Sequence, residues 1–425
     1  MHTNQDTAIL RGYPLTVRQP ALATILVTDG EQRSTLAAVR SLGRAGHRVL
    51  VSSASGRSLA GASRFSADEV RVPDVLEDTG AFARAIHRVV AETGCDLVIP
   101  MTDPSAVALL EAAEAVGPEA RASLPRLAIP DLDAYALASD KARLMSLAEE
   151  EAVPVPDQVV VGRGEADAAI RFAESTGWPV ILKPARSAVA GEGRLLRTEV
   201  RLVETSEELA DGLAEIPEAA FPVLVQRRVR GPGLGVFVLA AGGEVVASFA
   251  HRRLREKPPT GGVSVYRESV PVRDDLGTHA ASLMRRLKWT GVAMIEFKEE
   301  SATGTPYLME INARFWGSLQ LSIDAGVDFP LLLTEVLLDG RRPPTPEFRS
   351  GVRSRWFWGD VDHLLWILRA PSRYRTLHPR LPSRLGALGR FLLPWRPGNR
   401  WEVFRLTDPR PFLRESTTWF ADLFR

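Results

Sequence analysis

The sequence predicts a protein of mixed α/β and α+β class, and three observations support this. Near the start, apolar strand patterns at residues 23–28, 48–52 and 96–100 alternate with helical patterns, which indicates a parallel sheet with crossover helices. From about residue 136, strand patterns follow one another directly, with a Gly-Gly turn at 241–243 typical of a hairpin. From residue 341 to the end the composition changes to arginine and tryptophan. We therefore expect a doubly wound parallel domain, an α+β region and a basic extension.

The composition excludes several classes of protein. The chain has 425 residues, 45% apolar and 25% charged, which is ordinary for a globular protein of two or three domains. A formal net charge of +1 gives no general reason to expect nucleic acid binding. The single cysteine, Cys95, fits a reducing compartment. No signal peptide and no apolar run of about 18 residues is visible, so we expect a cytoplasmic protein.

The first domain is predicted to span residues 21–135, after a loose tail at 1–20. Its helices are predicted at 32–45, 82–93 and 104–116, each after a predicted strand or in the connection between two strands. The turn after the first strand lacks the pattern Gly-x-Gly-x-x-Gly, so no dinucleotide site is predicted there.

The most informative segment is residues 307–318, YLMEINARFWGS. If 307–311 is a strand, Glu310, Asn312 and Arg314 leave the same face of the sheet. A carboxylate, a carboxamide oxygen and a guanidinium on one face suit Mg²⁺ together with a phosphate. A second predicted strand, 290–297, presents Glu296 among apolar residues. The two strands predict a metal–nucleotide site; the alternative is a buried strand with an ion pair.

The sequences GVAMIEF (291–297) and MEINARF (309–315) resemble the metal-binding end of ATP-grasp enzymes, such as biotin carboxylase and the large subunit of carbamoyl phosphate synthetase. The resemblance extends over about residues 23–339. It implies an ATP-grasp domain at 136–340, with two α+β subdomains that hold ATP between them. It also implies that Glu296, Glu310 and Asn312 hold Mg²⁺ or Mn²⁺, and that Arg314 steadies the transferred phosphoryl group.

Lysine is scarce, with five lysines against 48 arginines, so each lysine is informative. Lys183 closes a predicted apolar strand, where a cation is costly unless it meets an anion. The resemblance implies that it contacts adenine and the α-phosphate. Lys141 begins a predicted helix that Ser139 or Asp140 could cap. The resemblance implies a phosphate contact there, and an exposed helix lysine is the alternative.

Two further segments resemble the nucleotide-binding parts of the family. Gly191 and Gly193 lie in a stretch of small residues that allows close backbone approach to phosphates, although an ordinary hairpin loop would also explain them. Residues 221–229 resemble the hinge strand, which implies adenine near Gln226, Arg227 and Val229. The acid that often holds ribose in the family has no counterpart at 230–236.

Residues 251–255, HRRLR, concentrate cations before a glycine-containing loop. The resemblance implies that this region faces the phosphoryl acceptor. Arg252 and Arg253 are therefore candidate catalytic residues for an anionic acyl group. A solvated basic edge strand is the alternative. After Arg314, a helix predicted to begin near Ser318 would point its positive end into the site.

The extension at 341–425 holds 17 arginines, no lysine and seven acids, a charge of roughly +10, and six of the nine tryptophans. Three interpretations compete: packing on the ATP-binding domain, a surface for anionic lipid headgroups, and nucleic acid binding. We favour core packing up to about Trp366 and leave the lipid surface open for later residues.

The resemblance implies an ATP-dependent carboxylate–amine ligase. A carboxylate would be activated as an acylphosphate, with release of ADP, and an amine or similar nucleophile would then displace phosphate. The partners would be small-molecule substrates, whose identities the sequence does not give. A nucleotide-binding regulator without turnover and a membrane-docked protein are the alternatives, and a homodimer is also open.

Overall fold

A computed structural model describes residues 22–115, 125–186, 188–191, 194–259, 262–342, 344–371, 381–392 and 398–423. The predicted tail at 1–20 lies outside these ranges, as does Gly193. The described chain forms three sheets that carry the site and one short hairpin.

The first domain is a five-stranded parallel sheet in the order β3-β2-β1-β4-β5. Its strands are β1 (Thr24–Val27), β2 (Arg48–Ser53), β3 (Asp68–Arg71), β4 (Leu97–Ile99) and β5 (Arg126–Leu127). Its helices are α1 (Arg33–Arg44), α2 (Thr79–Thr93) and α3 (Asp103–Ala115). The predicted doubly wound domain is confirmed. The strands β3 and β5 were not predicted, because they are short edge strands with charged, partly exposed residues.

Two helices connect this domain to the next sheet. They are α4 (Leu132–Ser139), which was not predicted, and α5 (Lys141–Glu150). The carboxylate of Asp140 accepts hydrogen bonds from the backbone N–H groups of Ala142 and Arg143 at 3.1 and 3.2 Å. Of the two predicted caps, Asp140 is therefore the one that starts α5. The cap fixes Lys141 as the first helical residue, and its backbone N–H donates to Ala185 O.

The second sheet has four antiparallel strands in the order β10-β7-β11-β6. They are β6 (Gln158–Val161), β7 (Val180–Pro184), β10 (Arg201–Val203) and β11 (Val223–Arg227). Helices α6 (Ala166–Thr176) and α7 (Ser206–Ala214) accompany this sheet, and their buried residues share its core. The predicted glycine-containing loop joins two further strands, β8 (Ala188–Gly191) and β9 (Arg194–Arg197), which pair as a hairpin.

The third and largest sheet has seven strands in the order β16-β15-β12-β13-β14-β17-β18. Its first five strands in the chain are β12 (Gly233–Ala241), β13 (Glu244–Lys257), β14 (Val263–Val270), β15 (Gly291–Glu299) and β16 (Pro306–Asn312). Three helices accompany them: α8 (Asp274–Arg286), α9 (Leu319–Ala325) and α10 (Phe329–Leu338). The hairpin of β12 and β13 is longer than predicted, so the cations at 251–255 lie within a strand.

The extension at 341–425 contributes the last two strands of this sheet. It contributes β17 (Arg353–Arg355) and β18 (Asn399–Trp401), with helices α11 (Phe357–Arg369), α12 (Arg384–Leu392) and α13 (Arg410–Leu423). β17 pairs with β14. Trp358 stacks on Trp419 with ring centroids 4.2 Å apart. Among the helices of the described ranges, none has the length and hydropathy to cross a bilayer.

Buried charges join the extension to the first domain. The guanidinium of Arg40, in α1, donates to the carboxylate of Asp408 at 2.8 Å, and both side chains are 1% exposed. Arg33 donates to Glu402 at 2.7 Å, and Glu402 also pairs with the buried Arg267. Core packing therefore continues well beyond Trp366. Glu402 and Asp408 themselves are buried and so are not part of a lipid-facing surface.

Candidate active site

The centre of the candidate site is a pair of acids on neighbouring strands. Glu296 in β15 lies directly opposite Glu310 in β16. Burial and the nearby Glu310 carboxylate raise the pKa of Glu296. Burial alone would raise the pKa of Glu310 too, but Lys141 and Lys183 hold it below its ordinary value. Two half-buried carboxylates side by side repel each other, so this pair favours a bound cation.

Two lysines from other elements reach this pair. Lys183 stands near the end of β7, and its Nζ donates to the backbone carbonyl of Met309 at 2.9 Å. Nζ of Lys141 lies 3.7 Å from a carboxylate oxygen of Glu310. Both side chains are buried, and burial lowers the pKa of Lys183 to about 8. The small sheet and the large sheet therefore meet at a point where two amines face two acids.

Asn312, the last residue of β16, and Arg314, two residues after it, belong to the same cluster. Asn312 donates through Nδ2 to Glu310 at 3.1 Å and accepts through Oδ1 from Arg314 at 3.2 Å. Arg314 also donates from Nε to Asp103 at 2.8 Å. Asp103 is the first residue of α3 in the first domain, so that domain fixes the direction of the Arg314 fork. Asp103 was not predicted as a site residue, because its only signal in the sequence is its place at a helix start.

The two candidate arginines of β13 lie on opposite faces of the sheet, because successive strand residues alternate. Arg253 lies on the face of the acids, with one guanidinium nitrogen 3.4 Å from Glu296. Arg252 instead donates to Glu268 at 2.7 Å, and Arg353 donates to the same carboxylate at 2.7 Å. No contact among the described residues brings Arg252 to the acid pair.

The residues predicted to surround adenine lie at the end of β11. Gln226 is buried and donates to Gln158 at 2.7 Å. Val229 is also buried. The guanidinium of Arg227 donates to Asp157 and Glu300 and lies 5.2 Å from the centroid of Tyr307. Because Tyr307 belongs to β16, this contact places the predicted hinge beside the strand that carries Glu310.

His251 does not belong to the cation cluster in which the sequence places it. It lies in the same cross-strand row as Glu296, with only Gly235 between them. Burial and the neighbouring Arg267 lower its pKa well below the ordinary value, so the ring is neutral. It stacks on Phe237 and shares a 2.8 Å hydrogen bond with the hydroxyl of Ser318. The helix predicted near Ser318 is α9, which has seven residues.

The donor set of the cluster fits Mg²⁺ with a phosphate ligand. No group of three or more His, Cys, Asp or Glu side chains able to hold a metal occurs among the described residues. The cluster offers two carboxylates and the Asn312 amide. Mg²⁺ is usually held by one or two carboxylates together with substrate phosphates, rather than by a complete protein cage. The lysines beside the acids suit those phosphates.

Comparison with known proteins agrees with this geometry. A family model described as an ATP-grasp in the biosynthetic pathway with Ter operon matches residues 220–359, which include both acids. No curated protein sequence matches the chain significantly.

Several solved structures share the fold. Biotin carboxylase from Campylobacter jejuni superposes with a TM-score of 0.61 at 18% identity, over 78% of this chain and 74% of that one. N5-carboxyaminoimidazole synthetase from Staphylococcus aureus gives 0.59 at 15% identity, over 84% and 86%. L-amino acid ligase from Bacillus licheniformis gives 0.54 at 17% identity, over 76% and 77%. At these identities the fold is what is shared. The chain therefore has the ATP-grasp fold, as its two acidic strands implied.

Proposed function

We propose that this protein is an ATP-dependent ligase that activates a carboxylate as an acylphosphate and joins the acyl group to an amine or similar nucleophile. The observation that carries the proposal is the convergence of Lys141, Lys183, Arg253 and Arg314 on the acid pair of Glu296 and Glu310. The similar solved proteins include a biotin carboxylase and an L-amino acid ligase, which supports this class of reaction.

The cations of the site are paired with protein groups that a nucleotide could replace. Lys141 faces Glu310, Arg253 faces Glu296, and Lys183 binds a backbone carbonyl. When ATP phosphates enter, the two lysines would turn from these partners to phosphoryl oxygens. Mg²⁺ held by Glu296, Glu310 and Asn312 would neutralise charge on the phosphate tail. ATP with Mg²⁺ or Mn²⁺ is thus the proposed cofactor set.

Transfer of the phosphoryl group requires positive charge fixed at the position where negative charge develops. Arg314 meets this requirement, because Asp103 and Asn312 hold its guanidinium from two sides. Arg253 would orient the attacking carboxylate, since it lies beside Glu296. Both arginines act as fixed donors that need no reorganisation during the reaction.

We propose small-molecule carboxylate and amine substrates and no membrane role. Three of the six tryptophans that suggested lipid binding have partners within the extension: the indole N–H groups of Trp356, Trp358 and Trp419 donate to Glu415, Ser416 and Asp362.

The test is a screen of carboxylic acids, with and without amines, for ATP-dependent release of ADP. Hydroxylamine should trap the acylphosphate of an active acid as a hydroxamate. Glu310→Gln protein is the blank, since it keeps the other groups of the site. Release of AMP and pyrophosphate would overturn the acylphosphate mechanism. Binding of ATP with no ADP release for any acid would favour a regulator instead.

A further inference from the structure

A cavity of about 650 Å³ lies where the extension meets the large sheet. Binding sites for whole small molecules commonly have volumes of roughly 300–1,000 Å³. The start of β12, the end of β13 and helices α11 and α12 contribute its walls. The lining residues used here are Arg253, Arg255, Arg353, His363, Leu381 and Arg390.

The cavity is connected to the acid pair by Arg253, whose side chain lines it and also contacts Glu296. A bulge in β13 lies directly after this residue. Arg253 pairs with Arg267 of β14, but Arg255 pairs with Tyr266, so one extra residue is inserted. A bulge of this kind turns the following side chains to the other face of the strand. Arg253 is thereby directed to the acids, whereas Arg255 is directed to the extension.

The walls of the cavity are strongly basic. Four arginines line it against a single acid, Glu256. Arg255 pairs with Asp360 at 2.9 Å, and Arg353 pairs with Glu268. Arg390, on α12, is exposed and has no carboxylate within ion-pair distance among the described residues.

A carboxylate or phosphate group on a bound molecule would accept hydrogen bonds from the exposed guanidinium of Arg390. An anion would also balance the unpaired charge of Arg390. The remaining walls include Leu254, Pro259, Leu381 and Ala387, which suit a hydrocarbon portion. The cavity therefore suits a molecule that has an anionic end and an apolar body.

Resting on the function proposed above, we infer that this cavity holds the part of the acid substrate remote from its reacting carboxylate. That part carries a second anionic group, a carboxylate or a phosphate, bound by Arg390 at the wall that Arg255 also lines. The reacting carboxylate lies at Arg253, beside the acid pair. Helix α12 thus acts as a specificity wall, and an acid as small as bicarbonate would leave most of the cavity empty.

Binding of matched acids tests the inference without turnover. Straight-chain dicarboxylates of increasing length, the matching phosphonocarboxylates and the monomethyl esters of the diacids are titrated calorimetrically into the full chain, with and without ADP and Mg²⁺. The dianions should bind about tenfold or more tightly than the monoesters. The better of the two dianion series identifies the second group as carboxylate or phosphonate.

Three variants locate the binding. Arg390→Glu should weaken dianion binding about tenfold or more and remove the preference over the monoester. Leu381→Trp should fill the cavity and also weaken binding. Arg384→Glu is the matched control, because it reverses one charge on the same helix outside the cavity lining and should leave binding unchanged. Melting temperatures establish that all three variants fold.

Two results would overturn the inference: no dianion binds the wild type, or Arg390→Glu and Leu381→Trp bind the dianions as tightly as the wild type. These results differ from failure of the proposed function, which would appear as dianion binding without ADP release. They also differ from failure of the nucleotide site, which would appear as loss of ADP binding.

Discussion

Glu296 and Glu310 lie opposite each other on adjacent antiparallel strands, and their surroundings treat them differently. Lys141 and Lys183 favour the ionised form of Glu310, whereas burial and Glu310 itself disfavour the ionised form of Glu296. A divalent cation between them would remove that asymmetry, because it favours both carboxylates in the charged form.

Replacing Glu310 by Gln should lower Mg²⁺-dependent ADP release by about 100-fold or more, the size expected when a group that stabilises transition-state charge is lost. The fold should remain, because Glu296 still faces the lysines. ADP release and melting temperature are measured together. Glu299→Gln, on the neighbouring strand β15 and paired with Arg273, is the control and should keep its activity. A Glu310→Gln protein that melts earlier yet turns over normally would show that the acid is only structural.

ATP affinity should fall as the pH rises through about 8, because burial lowers the pKa of Lys183 to about 8 and the neutral amine does not attract phosphate. Titrations of the protein with ATP at pH about 7 to about 9 would show this, and above the pKa the affinity should fall by at most about tenfold per pH unit. Lys183→Arg should bind ATP without this dependence, since arginine stays charged. Lys183→Met should bind about tenfold more weakly at neutral pH. An unchanged slope in Lys183→Arg would assign the titration to another group.

Glu415 should make the protein less stable as the pH rises from about 5 to about 7. Burial raises the pKa of Glu415 from 4.5 to about 7, against the hydrogen bond from Trp356. Between these two values the folded state holds a proton that the unfolded state has lost, so rising pH favours unfolding. The loss should be on the order of 2–3 kcal/mol. Urea unfolding at pH about 5 and about 8 should show a smaller difference in Glu415→Gln, whereas the exposed Glu244→Gln should behave as wild type.

Arg40→Leu should lower the free energy of unfolding by about 3–5 kcal/mol, because it leaves the carboxylate of Asp408 buried without its cation. Denaturant unfolding measures the loss. The double variant Arg40→Leu/Asp408→Leu should recover part of it, since no lone charge is then buried. Arg342→Ala breaks an exposed pair with Glu244 and should cost under about 1 kcal/mol. If Arg40→Leu and Arg342→Ala lowered the free energy of unfolding equally, the buried Arg40–Asp408 ion pair would not contribute more to stability than an exposed pair.

The fold was largely predictable because its strands carry clear apolar patterns. Strands β1, β2 and β4 read as buried runs, and all their core positions are buried. The short strands β3 and β5 lack such a pattern, because edge strands are only half covered. The unusual composition of the extension was visible in the sequence, but the elements on which it packs were not. Pairing of β17 with β14 joins residues far apart in the chain, and local propensity gives no information about such pairing.

The site was predictable where neighbouring residues of one segment supply several of its groups, as with Glu310 and Asn312 in β16 and Arg314 directly after it. Their shared face follows from the period of a strand. The separation of Arg252 from Arg253 follows from the same period once residues 251–255 are known to lie in a strand. The roles of Asp103 and the bulge after Arg253 depend on packing between distant elements, so the sequence alone did not show them.

The buried ion pair between Arg40 and Asp408 has a consequence for folding during synthesis. The two residues are 368 positions apart, so Asp408 leaves the ribosome long after Arg40 does. Domains generally fold as units during synthesis, beginning at the N-terminus. Until residues 402–408 arrive, the Arg40 guanidinium lacks the carboxylate and the backbone carbonyls that it binds in the complete fold. We therefore expect that the first domain, expressed as a fragment, needs the C-terminal segment supplied in trans.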